Sequence, residues 1–321
     1  MGLTRYPHGL SSFGIPLPDG GRFSSPWNTT YFVDGDNGND GNVGTEPTRS
    51  FKTIQKAVNA STGGDVIYIR PKQYKNATGF QRYTEDVTVS IAGTGASAAI
   101  EPNALKSIIG VTPRPVPTDY LGVRWTFSSA TPLTNNVPGT HIENIGFFVE
   151  GATYAINLVG SASGLTMGAT GVSIYNCAIK GDGKIVCLLG CDEIQIVNCR
   201  FQTKYDGTTG GINLVGSTAQ CKRPIIRGCE FIGGNANNMA TAPITTAAPV
   251  WDMVIRDCYF NAVPDSTYYI QIVGSNNSGI VANCHFGAAD VNAELSGLVN
   301  GSSGAYATAM YDQVGIDDMS S

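Results

Sequence analysis

Between residues 141 and 286 one seven-residue pattern recurs six times. The segments are His141-Ile-Glu-Asn-Ile-Gly-Phe147, Ser173-Ile-Tyr-Asn-Cys-Ala-Ile179, Gln195-Ile-Val-Asn-Cys-Arg-Phe201, Ile225-Ile-Arg-Gly-Cys-Glu-Phe231, Val254-Ile-Arg-Asp-Cys-Tyr-Phe260 and Ile280-Val-Ala-Asn-Cys-His-Phe286. Their central residues, Asn144, Asn176, Asn198, Gly228, Asp257 and Asn283, are 32, 22, 30, 29 and 26 positions apart. A repeat of this length means stacked structural units, each burying its apolar side on its neighbours. The pivots are all Asn, Gly or Asp, the residue types that best tolerate positive φ, as a sharp corner between two strands requires. The corner also explains the apolar pattern. Ile174 lies three positions before Cys177, so both face inward only if the chain bends between them. Beyond the bend the strand period of two returns, with Cys177 and Ile179 inside and Ala178 outside. Parallel stacking would align Cys177, Cys199, Cys229, Cys258 and Cys284 as one interior ladder. Phe147, Ile179, Phe201, Phe231, Phe260 and Phe286 would form another.

A second repeat, Ile156-Asn-Leu-Val-Gly160, Val186-Cys-Leu-Leu-Gly190, Ile212-Asn-Leu-Val-Gly216 and Ile270-Gln-Ile-Val-Gly274, alternates with the first. Two such segments per coil at drifting spacing predict a solenoid with variable corners. Upstream, Phe51, Ile54, Ala57 and Val58 follow a helical period. A short amphipathic helix there would cap the open end of the solenoid. Asp65-Val-Ile-Tyr-Ile-Arg-Pro71 reads as a strand stopped by proline, and Val87–Ile91 and Ile108–Val111 as further early coils. The predicted fold is all-β, a single-stranded right-handed parallel β-helix. Its parts are an extended N-terminal arm (1–30), a lead-in segment with the capping helix (31–64), the β-helix (65–290) and a C-terminal tail (291–321).

Composition agrees. Gly accounts for 40 of 321 residues and only 14% are charged, too few for long amphipathic helices but suited to short strands joined by Gly/Asn turns. The net charge of −5, with Lys and Arg scattered, argues against a nucleic-acid groove. The sequence has no apolar run of spanning length and no signal-like N-terminus. We therefore expect synthesis in a host cytoplasm, no membrane partner and free cysteine thiols.

Two resemblances add to this. The stretch Tyr31-Phe-Val-Asp-Gly-Asp-Asn-Gly-Asn-Asp-Gly-Asn-Val-Gly-Thr-Glu-Pro47, with Phe51-Lys-Thr-Ile-Gln-Lys-Ala-Val58 and Gly64-Asp-Val-Ile-Tyr-Ile-Arg-Pro71, resembles the opening of pectate-lyase-like right-handed β-helices. That superfamily holds polysaccharide lyases, glycoside hydrolases, phage tailspikes and inert structural proteins, so it implies a fold rather than an activity. Thr4-Arg-Tyr-Pro-His-Gly-Leu-Ser-Ser-Phe-Gly-Ile-Pro16 is similar to the N-terminal arm of certain tailed-bacteriophage virion proteins, often head or decoration components.

Chemistry was sought on the outward rows. A β-helix lyase would carry an acidic Ca²⁺ cluster with a basic residue. A β-helix hydrolase would carry paired carboxylates on adjacent coils. One step after the cysteine the row reads Ala178, Arg200, Glu230, Tyr259, His285. Two steps before it, the row reads Tyr175, Val197, Arg227, Arg256, Ala282. Neither stacks carboxylates, and the residual catalytic set is Arg227, Arg256 and Glu230. The second repeat presents Asn157, Cys187, Asn213 and Gln271, a polar row without acid–base character. Asp34-Gly-Asp36-Asn-Gly-Asn-Asp40 is oxygen-rich but fails the EF-hand spacing and reads as a Gly/Asn turn. The three histidines are dispersed, and Cys187 and Cys191 lack partners for a zinc site, so no metal or cofactor is expected.

The expected role is therefore a non-catalytic virion structural protein, a capsid decoration or cement component. Arg5, Tyr6 and Phe13 would anchor its arm to the major capsid protein or another virion protein. The apolar row Val159, Leu189, Val215 and Val273 would form a homotrimer face. The alternative is a tailspike-type polysaccharide depolymerase, or a β-helix that binds cell-surface glycan without cleaving it.

Overall fold

A computed structural model describes residues 28–72, 81–90, 105–111, 122–149, 151, 154–160, 168–181, 184–188, 191–202, 211–214, 221–232, 242–246, 250–261, 269–272 and 278–286. It also gives the backbone of 11–12, 15–16, 238–239, 263–264 and 299–301. The chain is a right-handed parallel β-helix, and its described residues form three long sheets. Sheet I has nine strands: Thr30–Val33, Val66–Ile69, Ser107–Gly110, His141–Glu143, Ser173–Tyr175, Gln195–Val197, Ile225–Arg227, Met253–Arg256 and Gly279–Ala282. Sheet II has eight, from Tyr83–Thr84 to His285–Phe286, and sheet III has eight, from Val87–Val89 to Val299–Gly301. Strands of each sheet follow chain order and pair in parallel, one per coil.

The predicted pivots join sheet I to sheet II. Asn144, Asn176, Asn198, Gly228, Asp257 and Asn283 all have positive φ, between 47° and 61°. Corner N–H groups find a carbonyl one coil on: Asn176 donates to Val197, Asn198 to Arg227 and Asp257 to Ala282. The side chains stack too, with Asn176 Nδ2 donating to Asn144 Oδ1 at 2.5 Å. A Cβ on Gly228 would sit 2.4 Å from Asn198 Oδ1, so glycine there makes room for its neighbour's amide.

A second left-handed row lies five residues earlier: Gly139, Gly171, Glu193, Arg223 and Asp252, with φ between 53° and 66°. Glutamate and arginine do not signal this conformation, which costs a residue with a Cβ roughly 1–2 kcal/mol. The same cross-coil bonding offsets the cost, since Gly171 N–H donates to Asp192, Glu193 to Lys222 and Arg223 to Trp251.

The interior is a set of ladders. On sheet I, Ile67, Ile108, Ile142, Ile174, Ile196, Ile226, Ile255 and Val281 stack in register and are buried. On sheet II the aromatic row extends upstream as Tyr83, Trp125 and Phe147. Downstream, Phe201, Phe231 and Phe260 stack face to face at 4.9 and 4.8 Å. Cys177, Cys199, Cys229 and Cys258 are buried, Cys284 is half-buried, and all eight cysteines are free thiols. Arg200 N–H donates to the Cys177 carbonyl, Glu230 to Cys199 and Tyr259 to Cys229, which places the cysteines one strand spacing apart.

The helix α1, Ile54–Ala60, buries Ile54, Ala57 and Val58 over the first coils. Its N-terminus is held by two carboxylates: Asp40 accepts from the N–H groups of Lys52 and Thr53, and Glu85 from those of Ile54 and Gln55. At the other end the buried Lys106 donates to the carbonyls of Val58 and Ser61, at 2.9 and 2.6 Å. Anions at the N-terminus and a cation at the C-terminus both suit the helix dipole.

Several expectations need correcting. Thr30–Val33 already pairs with Val66–Ile69, so sheet I begins before the helix rather than at residue 65. Val299–Gly301 pairs with Ile270–Ile272, so the expected tail supplies a strand. In sheet III, Ile156 is opposite Ile185 and Leu158 opposite Cys187. Cys187 is therefore interior, not outward, because Lys184-Ile-Val-Cys-Leu188 begins its inward alternation one residue earlier than the repeat suggested. That register sets Val159 opposite Leu188 rather than Leu189. Ile244–Thr246 supplies a sheet III strand between Ile212 and Ile270 that the second repeat did not reveal. Within the expected extended arm, Ser11–Ser12 pairs antiparallel with Ile15–Pro16. Arg5, Tyr6, Phe13, Leu189, Val215 and Val273 lie outside the described residues; Val159 is half-buried.

Candidate functional site

Outward rows follow from register, so each can be read as a surface. On sheet II the row after the cysteines is Ala178, Arg200, Glu230, Tyr259 and His285, as expected. Arg200 pairs with Glu230 at 3.1 Å, and Tyr259 stacks on His285 at 4.7 Å. On sheet I, Arg227 and Arg256 both turn to Asp257, at 3.4 and 3.0 Å. The bond from Arg256 is the main reason that the Asp257 carboxyl titrates below its ordinary range. The residual set Arg227, Arg256 and Glu230 is thus split across the pivot corner and taken up in exposed ion pairs. It does not converge on one point.

The Asp34–Asp40 segment is a turn in which the Asp34 and Asp40 carboxylates each accept from several donors. Burial alone would raise the Asp34 carboxyl. Bonds from the Asn37 amide and side chain, the Asp36 N–H and Arg70 hold it below its ordinary range instead. Arg70 Nη1 lies 2.6 Å from Asp34 Oδ2.

Two other surfaces carry organised polar chemistry. The first is the outer face of sheet III. Its row reads Thr134, Asn157, Val186, Asn213, Thr245 and Gln271 in strict register. Except for Val186 these are amides and hydroxyls, uncharged and able to donate or accept. Asn157 Oδ1 and Asn213 Oδ1 are shielded from solvent and have no hydrogen-bond partner among the described residues. A buried acceptor without a partner is costly, and such atoms in folded proteins call for an explanation.

The second surface is a block on the outer face of sheet I. His141 sits opposite Ser173 and Ser173 opposite Gln195, while Glu143 sits opposite Tyr175. Alternation along the strand points all five side chains outward on one face. Ser173 Oγ lies 2.8 Å from His141 Nδ1, and Glu143 Oε2 lies 3.0 Å from His141 Nε2. With its proton on Nε2, the ring donates to Glu143 and accepts from Ser173. His141 is 9% exposed, while Ser173, Glu143, Tyr175 and Gln195 are half-buried. The Tyr175 ring tilts over the imidazole at 5.5 Å, and its hydroxyl donates to Gln195 Oε1 at 2.9 Å. Nearby, burial and then the charge of Glu143 push the Tyr68 hydroxyl up to about 12.

The sequence reading missed this block for a definable reason. The cysteine marks the rows of the later segments, and the first segment has Ile145 in its place, so no cysteine aligns Glu143 with Tyr175. The column four before the cysteine, which holds Ser173 and Gln195, was not read as a row. Aligning all six segments on the pivot would have brought His141, Ser173 and Gln195 together.

Among the described residues no helix is long and apolar enough to cross a membrane. No protein-family model and no curated protein matches the chain. Among solved structures it is similar to a rhamnogalacturonan lyase, at 15% identity and a TM-score of 0.41, over 80% of this chain and 68% of that one. It is also similar to a tailspike protein of Acinetobacter baumannii bacteriophage Fri1, a capsular polysaccharide depolymerase. That match has 11% identity and a TM-score of 0.36, over 79% of this chain and 52% of the tailspike, so this chain spans about half the tailspike's length. The fold assignment rests on the strand register itself.

Proposed function

We propose that this chain is a polysaccharide-binding β-helix that holds a glycan strand along the outer row of sheet III. The observation that carries the reading is the pair of shielded, unpartnered acceptors, Asn157 Oδ1 and Asn213 Oδ1, on one row. Sugar hydroxyls are neutral donors, which such acceptors need. A row of amides and hydroxyls stepping by the strand spacing, about 4.8 Å, and interrupted at Val186, would meet a linear glycan at regular intervals. The absence of charge along the row favours hydroxyl groups over ionic ones, because an anion or cation there would lose its water without gaining a counter-charge.

The test is binding of immobilised bacterial surface polysaccharides to intact protein. We expect retention by the wild type and a loss of at least about tenfold in affinity for the Asn157→Ala/Asn213→Ala double variant, one lost bond at each site being worth about 1 kcal/mol. Equal binding by both proteins would overturn the reading.

A second reading, a virion decoration component, is favoured by the Thr4–Pro16 stretch and its likeness to phage arms. In it Arg5, Tyr6 and Phe13 dock on a capsid protein, and three copies associate through the row that includes Val159. The two readings are compatible in one particle-borne protein. Deleting residues 2–20 should abolish particle attachment while leaving glycan binding intact.

A further inference from the structure

We propose that Ser173, His141 and Glu143 form an acyl-transfer site on the outer face of sheet I that hydrolyses carboxylic esters of short acyl groups. This goes beyond glycan binding and rests on a different sheet. The three groups stand in the order that nucleophilic catalysis needs: hydroxyl, imidazole, carboxylate, each within hydrogen-bond reach of the next. Such a set is recognised by geometry and roles rather than by chain order. Here the carboxylate occupies Nε2, so it fixes the tautomer in which Nδ1 is bare and accepts the Ser173 proton. The block is placed by strand pairing and burial. His141 and Glu143 share one strand, Ser173 lies directly opposite His141 on the next, and His141 is almost wholly buried.

A fourth group completes the site. Gln195 flanks Ser173 on the side away from His141. Its Oε1 is engaged by the Tyr175 hydroxyl, which leaves the Nε2 end of the carboxamide as the donor for charge developing on a carbonyl oxygen near Ser173.

The steps balance. Ser173 Oγ attacks the ester carbonyl carbon while its proton passes to His141 Nδ1. The tetrahedral oxyanion is met by Gln195 Nε2–H. The C–O bond to the alcohol breaks, and the leaving alkoxide takes the proton from His141, giving an acyl-serine. Water then attacks that carbonyl, losing a proton to Nδ1. The carboxylic acid leaves, and the proton returns to Ser173. Glu143 stays ionised throughout and stabilises the imidazolium at each proton transfer. An ester is the fitting substrate class because an alkoxide leaves more readily than an amide nitrogen, which suits a site with one side-chain donor for the oxyanion. The acyl group must be short, since it sits between His141 and Gln195, each about one strand spacing from Ser173.

The test uses the full chain with p-nitrophenyl acetate, and separately a fluorophosphonate that phosphorylates activated serines. We expect saturable p-nitrophenolate release and labelling at Ser173, located by peptide mass spectrometry. Ser173→Ala should abolish both. This residue is half-exposed, so the variant should melt like the wild type. His141→Gln should slow hydrolysis about a hundredfold. Gln195→Ala should lower kcat with little change in KM, which a merely structural role would not do. Unchanged hydrolysis in folded Ser173→Ala, or labelling confined to other residues, would overturn the proposal. Neither assay contains a glycan, so failure of the binding reading would leave this result standing, and the reverse.

Discussion

From Val172 to Phe286 each coil nearly copies the one before, with an isoleucine or valine, a left-handed pivot, a cysteine and a phenylalanine or isoleucine in the same places. From Thr30 to Asn135 the same three sheets are built without the cysteines or the Asn pivots, and individual polar bonds hold the chain instead. Asp34 closes a turn, Asp40 and Glu85 hold the start of α1, Lys106 holds its end, and Trp125 Nε1–H donates to the Glu85 carbonyl at 2.9 Å. The difference has a physical source. A late coil has a neighbour above and below, so apolar and amide ladders satisfy it on both sides. The first coils have a neighbour on one side only, and the exposed end must be closed by a helix whose own termini need partners. Repetition stabilises the middle of a solenoid; particular side chains stabilise its end.

The comparison can be broken most strongly in the middle. Phe231→Asp puts a carboxylate into an aromatic stack with no counter-charge, and should cost on the order of 3–5 kcal/mol or prevent folding. Glu230→Ala, one position away and outward, should change stability by about 0.5 kcal/mol or less. Thermal melts in which Glu230→Ala is the more damaging would invert the assignment of inside and outside.

An intermediate effect is expected at the end of the solenoid. Glu85→Ala removes the acceptor for two N–H groups of α1 and should cost about 1–2 kcal/mol. Because the loss is confined to the cap, hydrogen exchange should quicken in α1 and the first coils while the late coils stay protected. Uniform loss of protection would show that the two regions are one cooperative unit.

The last effect is a matter of sign. Burial, partly opposed by the charge of Asp65, pulls the Lys106 ammonium down to about 8. In the unfolded chain it titrates near its ordinary value, about 10.4. Between those values the unfolded state binds the proton and the folded state does not, so stability should rise as pH increases from 8 toward 10. Lys106→Met should lack this rise. Parallel pH profiles for the two proteins would remove Lys106 as the cause.

The same contrast explains what could be read from sequence. The pivots, the interior cysteines and the phenylalanine row were legible because each is repeated, and a column of like residues is evidence that a single residue cannot give. The helix was legible from Phe51, Ile54, Ala57 and Val58. Lys106 and Glu85 were not, since their roles depend on partners 45–48 and 30–31 residues away. The Glu193–Arg223–Asp252 corner was hidden because tertiary bonding overrides the preference of those residues for negative φ. Sheet III was legible only in part. The strand Lys184–Leu188 alternates one residue out of step with the repeat, and Ile244-Thr-Thr246 lacks the ending of two aliphatic residues and a glycine that marked the other segments. Of the polar surfaces, the amide row of sheet III was visible in outline as Asn157, Asn213 and Gln271. The Ser173–His141–Glu143 block needed the register across two coils.

The central claim about function is that the sheet III row receives a polysaccharide. It is tested most directly by titrating intact protein with size-fractionated fragments of a polysaccharide that it retains, comparing the wild type with Asn157→Ala/Asn213→Ala. If the row is the site, affinity should grow with fragment length until the fragment spans Asn157 to Gln271 and then level off, and the double variant should lose that growth. Length dependence that is the same in both proteins, or no binding to any surface polysaccharide, would contradict it.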